Sequence, residues 1–173
     1  MPRHGGVTAM LQAIRDLYRH MQWADASVWR AVLATPAAAE DAALREKLHH
    51  IHTVQRGFFT VWNGSKPEWR KVESFGENRE LMDWSRAYYA ELEPFLETLS
   101  EDRLDGEMNM PWARHFMPEA ASTSFRDTLL QAAMHSGYHR GQVNTRIREL
   151  GGEPPNVDYI MWCWQGRPRP SWP

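Results

Sequence analysis

Apolar positions recur at intervals of three and four along four stretches of the chain, a period that predicts helices rather than strands. The first stripe is Met10, Ile14, Leu17, Met21, Ala24, Val28, Ala31 and Val32. With Thr8 as its cap, it predicts a helix over about 8–34, broken by Thr35-Pro36. Leu44, Leu48, Ile51, Val54, Phe58 and Val61 or Trp62 predict a second helix over about 40–63, starting at Ala38 or Asp41 and ended by the turn residues Asn63–Pro67. After a loop to Gly76, Asn78 is the expected cap of a third helix over about 78–99. Its inner positions are Leu81, Trp84, Tyr88, Leu92, Phe95 or Leu96, and Leu99, and Pro94 should kink it or end it early.

The helical period stops between Glu101 and Ala121. The segments around Pro111-Trp112 read as a short hairpin or an irregular crossover, the crossover being preferred. The fourth stripe is Phe125, Leu129, Ala132, Ser136, His139, Val143, Ile147 and Leu150. Thr123 or Ser124 is its cap and Gly151-Gly152 with Pro154-Pro155 its stop, giving a helix over about 123–150. The apolar tail over 154–173 is too short for a domain and should lie across the bundle or in a subunit interface. The pattern as a whole predicts an all-α four-helix bundle over 1–173 with a long crossover between helices three and four.

Composition narrows the function classes. A hydrophobic share of 42% against 24% charged residues is that of an ordinary globular chain with one core, and nine tryptophans imply that the core or a cleft is rich in large rings. A formal net charge of −2 provides no electrostatic footprint for nucleic acid. No apolar run approaches the ~18 residues of a membrane span. The opening Met1–Gly6 lacks the apolar core of a signal peptide, and the lone Cys163 offers no internal disulfide, so a reducing cytoplasm is the expected location. Flanked by Trp162 and Trp164, Cys163 reads as a packed small hydrophobe rather than a nucleophile.

The candidate chemistry lies in the histidines. His135 and His139 are four apart in the fourth helix, about 5–6 Å apart at Cβ, a spacing that can chelate one metal ion. His139 falls on the apolar stripe and His135 on its edge. The second helix carries His49, His50 and His52. Any one of these alone is more often solvent-facing or hydrogen-bonded, but His50 borders the apolar face, where it can meet the fourth helix. Three neutral imidazoles, His50, His135 and His139, fit a zinc-like site with a fourth position for water or substrate, and nickel, iron or manganese suit the same donors. His20 reads as a packing residue and His115 as incidental. Gly137 and Gly141 each cost the helix about 1 kcal/mol, which suggests close approach of a neighbouring helix or a bound molecule to the backbone.

The motif His135-Ser136-Gly137-Tyr138-His139-Arg140-Gly141-Gln142 resembles that of the DinB/YfiT-like superfamily of metal-binding bundles. The likeness covers nearly the whole chain: Trp23-Ala24-Asp25, His50-Ile51 with Gln55, and the Pro-Pro, Asp158-Tyr159 and Trp162 tail. It implies metal ligands His50, His135 and His139, with His49 or His52 as alternatives to His50. Gln55 stands where relatives often carry glutamate, which favours His50. The superfamily includes thiol-dependent S-transferases, a mycothiol-dependent maleylpyruvate isomerase and metal-dependent hydrolases, and its members are often homodimers. The resemblance therefore implies one divalent ion, zinc or nickel first and iron or manganese after them, which activates a low-molecular-weight thiol or water against a small-molecule electrophile. No carboxylate follows His135 as in His-Glu-x-x-His, which argues against a peptidase and favours thiol transfer. A bundle that binds metal or ligand without turnover, in a stress response, is the alternative. Arg140 is a candidate for recognising a carboxylate, and Tyr138 and Gln142 for supporting the ligands.

Overall fold

The computed structural model describes residues 8–173, so the Met1–Gly6 segment read for a targeting signal lies outside the described residues. Three of the four long helices start where a side chain takes up an orphan backbone N–H. Helix α1 (Ala9–Ala34) is capped by Thr8, which accepts from Leu11 N. Thr35-Pro36 ends α1 as expected, but proline also suits a helix's first turn, and Pro36–Ala39 winds into the one-turn helix α2. Asp41 accepts from Leu44 N at 2.7 Å and begins α3 (Ala42–Trp62), which stops at Asn63 and Gly64, the glycine having φ +73°.

A loop with a short 3-10 turn at Val72–Ser74 leads to α4 (Asn78–Glu97). Here the expectation needs correction: Glu77, not Asn78, is the capping position, and Asn78 spends its amide on Ala39 O at 2.7 Å. Nor does Pro94 end the helix early; it sits in the last turn, where α4 runs three residues beyond it.

The crossover carries more order than expected. It contains the one-turn helices α5 (Glu101–Leu104) and α6 (Ala113–Phe116). Two short strands, β1 (Glu107–Met108) and β2 (Thr123–Ser124), pair antiparallel, with Glu107 opposite Ser124. Ser124, rather than Thr123, then caps α7 (Phe125–Glu149) through a reciprocal capping box with Asp127. The tail forms α8 (Tyr159–Trp164).

Helix α7 is the central element, packing on α3 and on α1, while α4 completes the bundle against those same two helices. The core has two apolar layers. One holds Tyr18, Met21, Phe58, Trp62, Tyr88, Phe125 and Leu129; the other holds Val28, Trp29, Leu44, Ile51, Leu81, Val143 and Ile147. Between them, at mid-height on each long helix, lie buried polar residues: Asp25, His52, Gln55, Ser85, Ser136 and Arg140. The tail lies across α1, with Trp162 packed on Trp23 and Ala24, and Trp172 inserting beside Tyr89 at 5.9 Å between ring centroids. Among the described residues no helix is long and apolar enough to cross a membrane.

Candidate metal centre

Helix α3 contributes His50, and α7 contributes His135 and His139 one turn apart. The three rings meet at one side of the bundle, with a ligand atom from each lying within 4.8 Å of the others. His50 Nε2 and His135 Nε2 face each other at 3.2 Å, and the ring centroids of His50 and His139 are 4.6 Å apart. Gln142 Oε1 accepts from His139 Nδ1 at 3.0 Å, which makes Nδ1 the protonated nitrogen and leaves the Nε2 lone pair free. Lys47 Nζ reaches the same Oε1 at 3.5 Å. His135 Nδ1 is buried with no hydrogen-bond partner among the described residues.

The electrostatics favour the neutral form of His135 and His50. Burial, reinforced by the adjacent His139 and His50 imidazoles, pushes His135 down to about 4. Burial, then His139, His49 and Lys47, lowers His50 as well. A divalent ion requires unprotonated imidazoles, and these two are unprotonated at neutral pH. The donor set, the converging nitrogens and the unpartnered Nδ1 fit a cation better than they fit one another, and the cluster can hold a metal ion.

The other two histidines of α3 face elsewhere. His49 Nε2 bonds Arg70 O at 2.7 Å, and its ring stacks on Trp84. His52 lies in the core with both nitrogens engaged: Trp29 Nε1 donates to its Nε2 at 3.0 Å and its Nδ1 donates to Gln55 Oε1 at 2.9 Å. Burial holds His52 below the ordinary histidine value, in keeping with a neutral ring.

Gln55 links this core network to the layer beneath the cluster. Its amide donates to Asp25 Oδ2 at 2.8 Å and to Ser136 Oγ at 3.1 Å, and Ser136 is the residue following His135. The hydroxyl of Tyr89 donates to the same Asp25 oxygen. Arg140 NH1 bonds Asp25 Oδ1 at 2.7 Å with both side chains buried. This corrects the reading of Arg140 as a group that recognises a substrate carboxylate: its carboxylate partner is Asp25, within the core. The Asp25–Arg140–Tyr89 network escaped the sequence reading. The signal that could have found it was an aspartate on the inner face of α1, one turn from Met21 and adjacent to Ala24.

For Gly137 and Gly141 the expected close approach of a neighbouring helix needs correction. A Cβ at Gly141 would meet nothing within 4 Å, and at Gly137 only the Arg140 guanidinium at 3.8 Å, so no neighbouring helix crowds either one. They open instead onto a groove shared with His20, Asn144 and Arg148. His20 is buried and donates from Nε2 to Val157 O at 2.8 Å, anchoring the tail. Exposed Tyr138 lies edge-on to the His139 ring at 4.9 Å between centroids. His115 packs edge-on to Phe116, and Cys163 is a half-buried free thiol in the tail.

Beside His50 and His135 opens a cleft of about 550 Å³, walled by Val54 and Phe58 of α3, Met110, Trp112 and Phe116 of the crossover, and the first turns of α7. Trp112 is held edge-to-face on Phe58 at 5.2 Å.

A four-helix core, a long crossover lying over the first turns of α7, and a histidine cluster fed by two neighbouring helices together define an all-α bundle with three imidazoles that could hold a metal ion. The chain belongs to the DinB family, whose model matches residues 10–169. No curated protein matches it.

Proposed function

We propose that His50, His135 and His139 hold one divalent ion, zinc or nickel before iron or manganese, and that the protein is an enzyme joining a low-molecular-weight thiol to a small electrophile. The observation that carries this reading is the convergence of three imidazole nitrogens within 4.8 Å of one another at the mouth of an apolar cleft. A divalent ion in this position acts as a Lewis acid and favours the deprotonated form of a thiol or a water. The chain's own residues supply the rest. Gln142 fixes the His139 tautomer, Ser136 and Gln55 brace the backbone turn that carries His135, and the crossover closes one side of the cleft to solvent.

Thiol transfer is favoured over hydrolysis because hydrolysis requires a proton acceptor. The one carboxylate lining the cleft among the described residues, Asp127, is tied to Ser124 N and Oγ at 3.0 and 2.7 Å. A thiolate attacks without such a base, its proton having left to solvent. A homodimer acting in the cytoplasm is the assembly and location that go with this reading.

Elemental analysis of the tag-free protein beside a His135→Ala/His139→Ala variant tests it. About one zinc or nickel per chain in the parent and little in the variant is expected, together with turnover of model electrophiles that requires a thiol. No metal after reconstitution with zinc, nickel and manganese refutes the metal site. Metal without turnover on any thiol points to a binding protein.

A further inference from the structure

The cleft beside the histidine cluster is chemically one-sided. Its walls are Val54, Phe58, Met110, Trp112 and Phe116, and among the described residues no lysine or arginine lines it. Among the described residues the only charged side chain there is Asp127, whose hydrogen bonds from the Ser124 hydroxyl and backbone hold its carboxyl below the ordinary value, so it is anionic at neutral pH. Arg140, the cation that sequence alone offered for a substrate carboxylate, is turned into the core and spent on Asp25. The volume of about 550 Å³ suits a ring-containing small molecule. Phe116 at the cleft, 79% exposed, leaves an apolar rim that a bound molecule would cover.

We propose that this cleft takes the uncharged, apolar body of the substrate, an aromatic or branched-aliphatic group, and rejects a carboxylate or phosphate placed there. The proposal rests on the reading of the histidine cluster as the reactive centre, since that is what makes the cleft a substrate site. An anionic group inside it meets no cation, loses its hydration and faces Asp127. An apolar ring meets Trp112 and Phe58, already set at right angles to one another, which offers it both an aromatic face and an edge.

Matched neutral and anionic probes test this by calorimetric titration: methyl benzoate against benzoate, methyl cinnamate against cinnamate, and methyl 2-naphthoate against 2-naphthoate. The decisive comparison uses zinc-free protein at about pH 8, where no metal can capture a carboxylate. At least one ester is expected to bind, and to bind ~100-fold more tightly than its acid. Gln131→Arg, a substitution at an exposed position lining the cleft, is expected to narrow that gap ~10-fold by giving the anion a partner. No ester binding, no gap, or a gap that Gln131→Arg leaves unchanged would overturn the proposal. Zinc titration of the same samples keeps the two readings apart: a protein that prefers esters but binds no zinc retains the cleft and loses the metal site, and the converse result does the opposite.

Discussion

Removing Arg140 should cost more than removing most surface arginines by a wide margin, and the deficit should depend on pH with a defined sign. The side chains of Arg140 and Asp25 are 6% and 2% exposed, and they meet at 2.7 Å. Arg140→Met leaves a carboxylate in the core, stranded with its bonds to Tyr89 and Gln55. Breaking a buried pair from one side costs about 3–5 kcal/mol, against less than about 1 kcal/mol for an exposed pair. For a chain of this length that is a fall in Tm of roughly 6–20 °C.

Burial acting alone would raise the Asp25 carboxyl, but Arg140 and the hydrogen bonds from Tyr89 and Gln55 outweigh it and hold the pKa below the ordinary value. A depressed folded-state pKa adds stability that is present above the unfolded value of about 3.9 and is lost as pH falls through the folded one. In Arg140→Met the chief counterweight to burial is gone, so the carboxyl pKa moves up and the sign reverses. The folded variant takes up a proton on acidification, and its deficit relative to the parent shrinks. Urea unfolding of zinc-free parent and variant at about pH 7 and about pH 5 measures both effects. A loss under ~1 kcal/mol, or a deficit equal at the two pH values, would refute the assignment of Arg140 as the counter-ion that makes a charged Asp25 tolerable in the core.

Two further substitutions test parts of the fold around the site. Gln142→Leu removes the acceptor that fixes the His139 tautomer and should weaken zinc binding about 10–100-fold in a competition titration, with the unfolding midpoint little changed. Gly152→Ala places a Cβ 2.4 Å from Thr35 Oγ1 and 2.8 Å from an Ile147 methyl, so the junction of α7 with the end of α1 must open. A destabilisation of about 1–3 kcal/mol is expected, measured by urea unfolding.

The long helices were legible because their start signals are local. Thr8, Asp41 and Ser124 each sit one residue before an apolar period and each accepts the expected backbone N–H. Asn78 looked like the same signal and is not one, because its side chain finds Ala39 O, a partner on a distant segment that no local pattern reveals. The convergence of His50 with the α7 pair was only partly legible: phase puts His50 at the border of the inner face of α3, but His49 and His52 stayed open as alternatives until the structure showed His52, one turn from Leu48 and three residues from Gln55, carried inside. The face of α7 was harder to read. Its middle is built of Ala132, Ala133, Ser136, Gly137 and Gly141, residues too small to announce which side is buried, so Arg140 was read as facing a substrate rather than the core. Its burial is decided by Asp25, 115 residues earlier in the chain. The crossover follows no helical period at all, and its short strands exist because two ends of one excursion happen to run alongside each other.

The polar layer at mid-height has a consequence for helix register. Apolar side chains tolerate sliding: a helix shifted by one turn, about 5.4 Å, still presents hydrocarbon to hydrocarbon. A network of donors and acceptors shared across α1, α3, α4 and α7 does not, because any such slip strands Asp25, Gln55, His52 and Arg140 together. The same slip would carry His50 about 5.4 Å away from His135, whose facing nitrogen is now 3.2 Å distant. The layer thus works as a vernier: it admits one alignment of the four helices, and that alignment brings the three imidazoles within reach of a single ion.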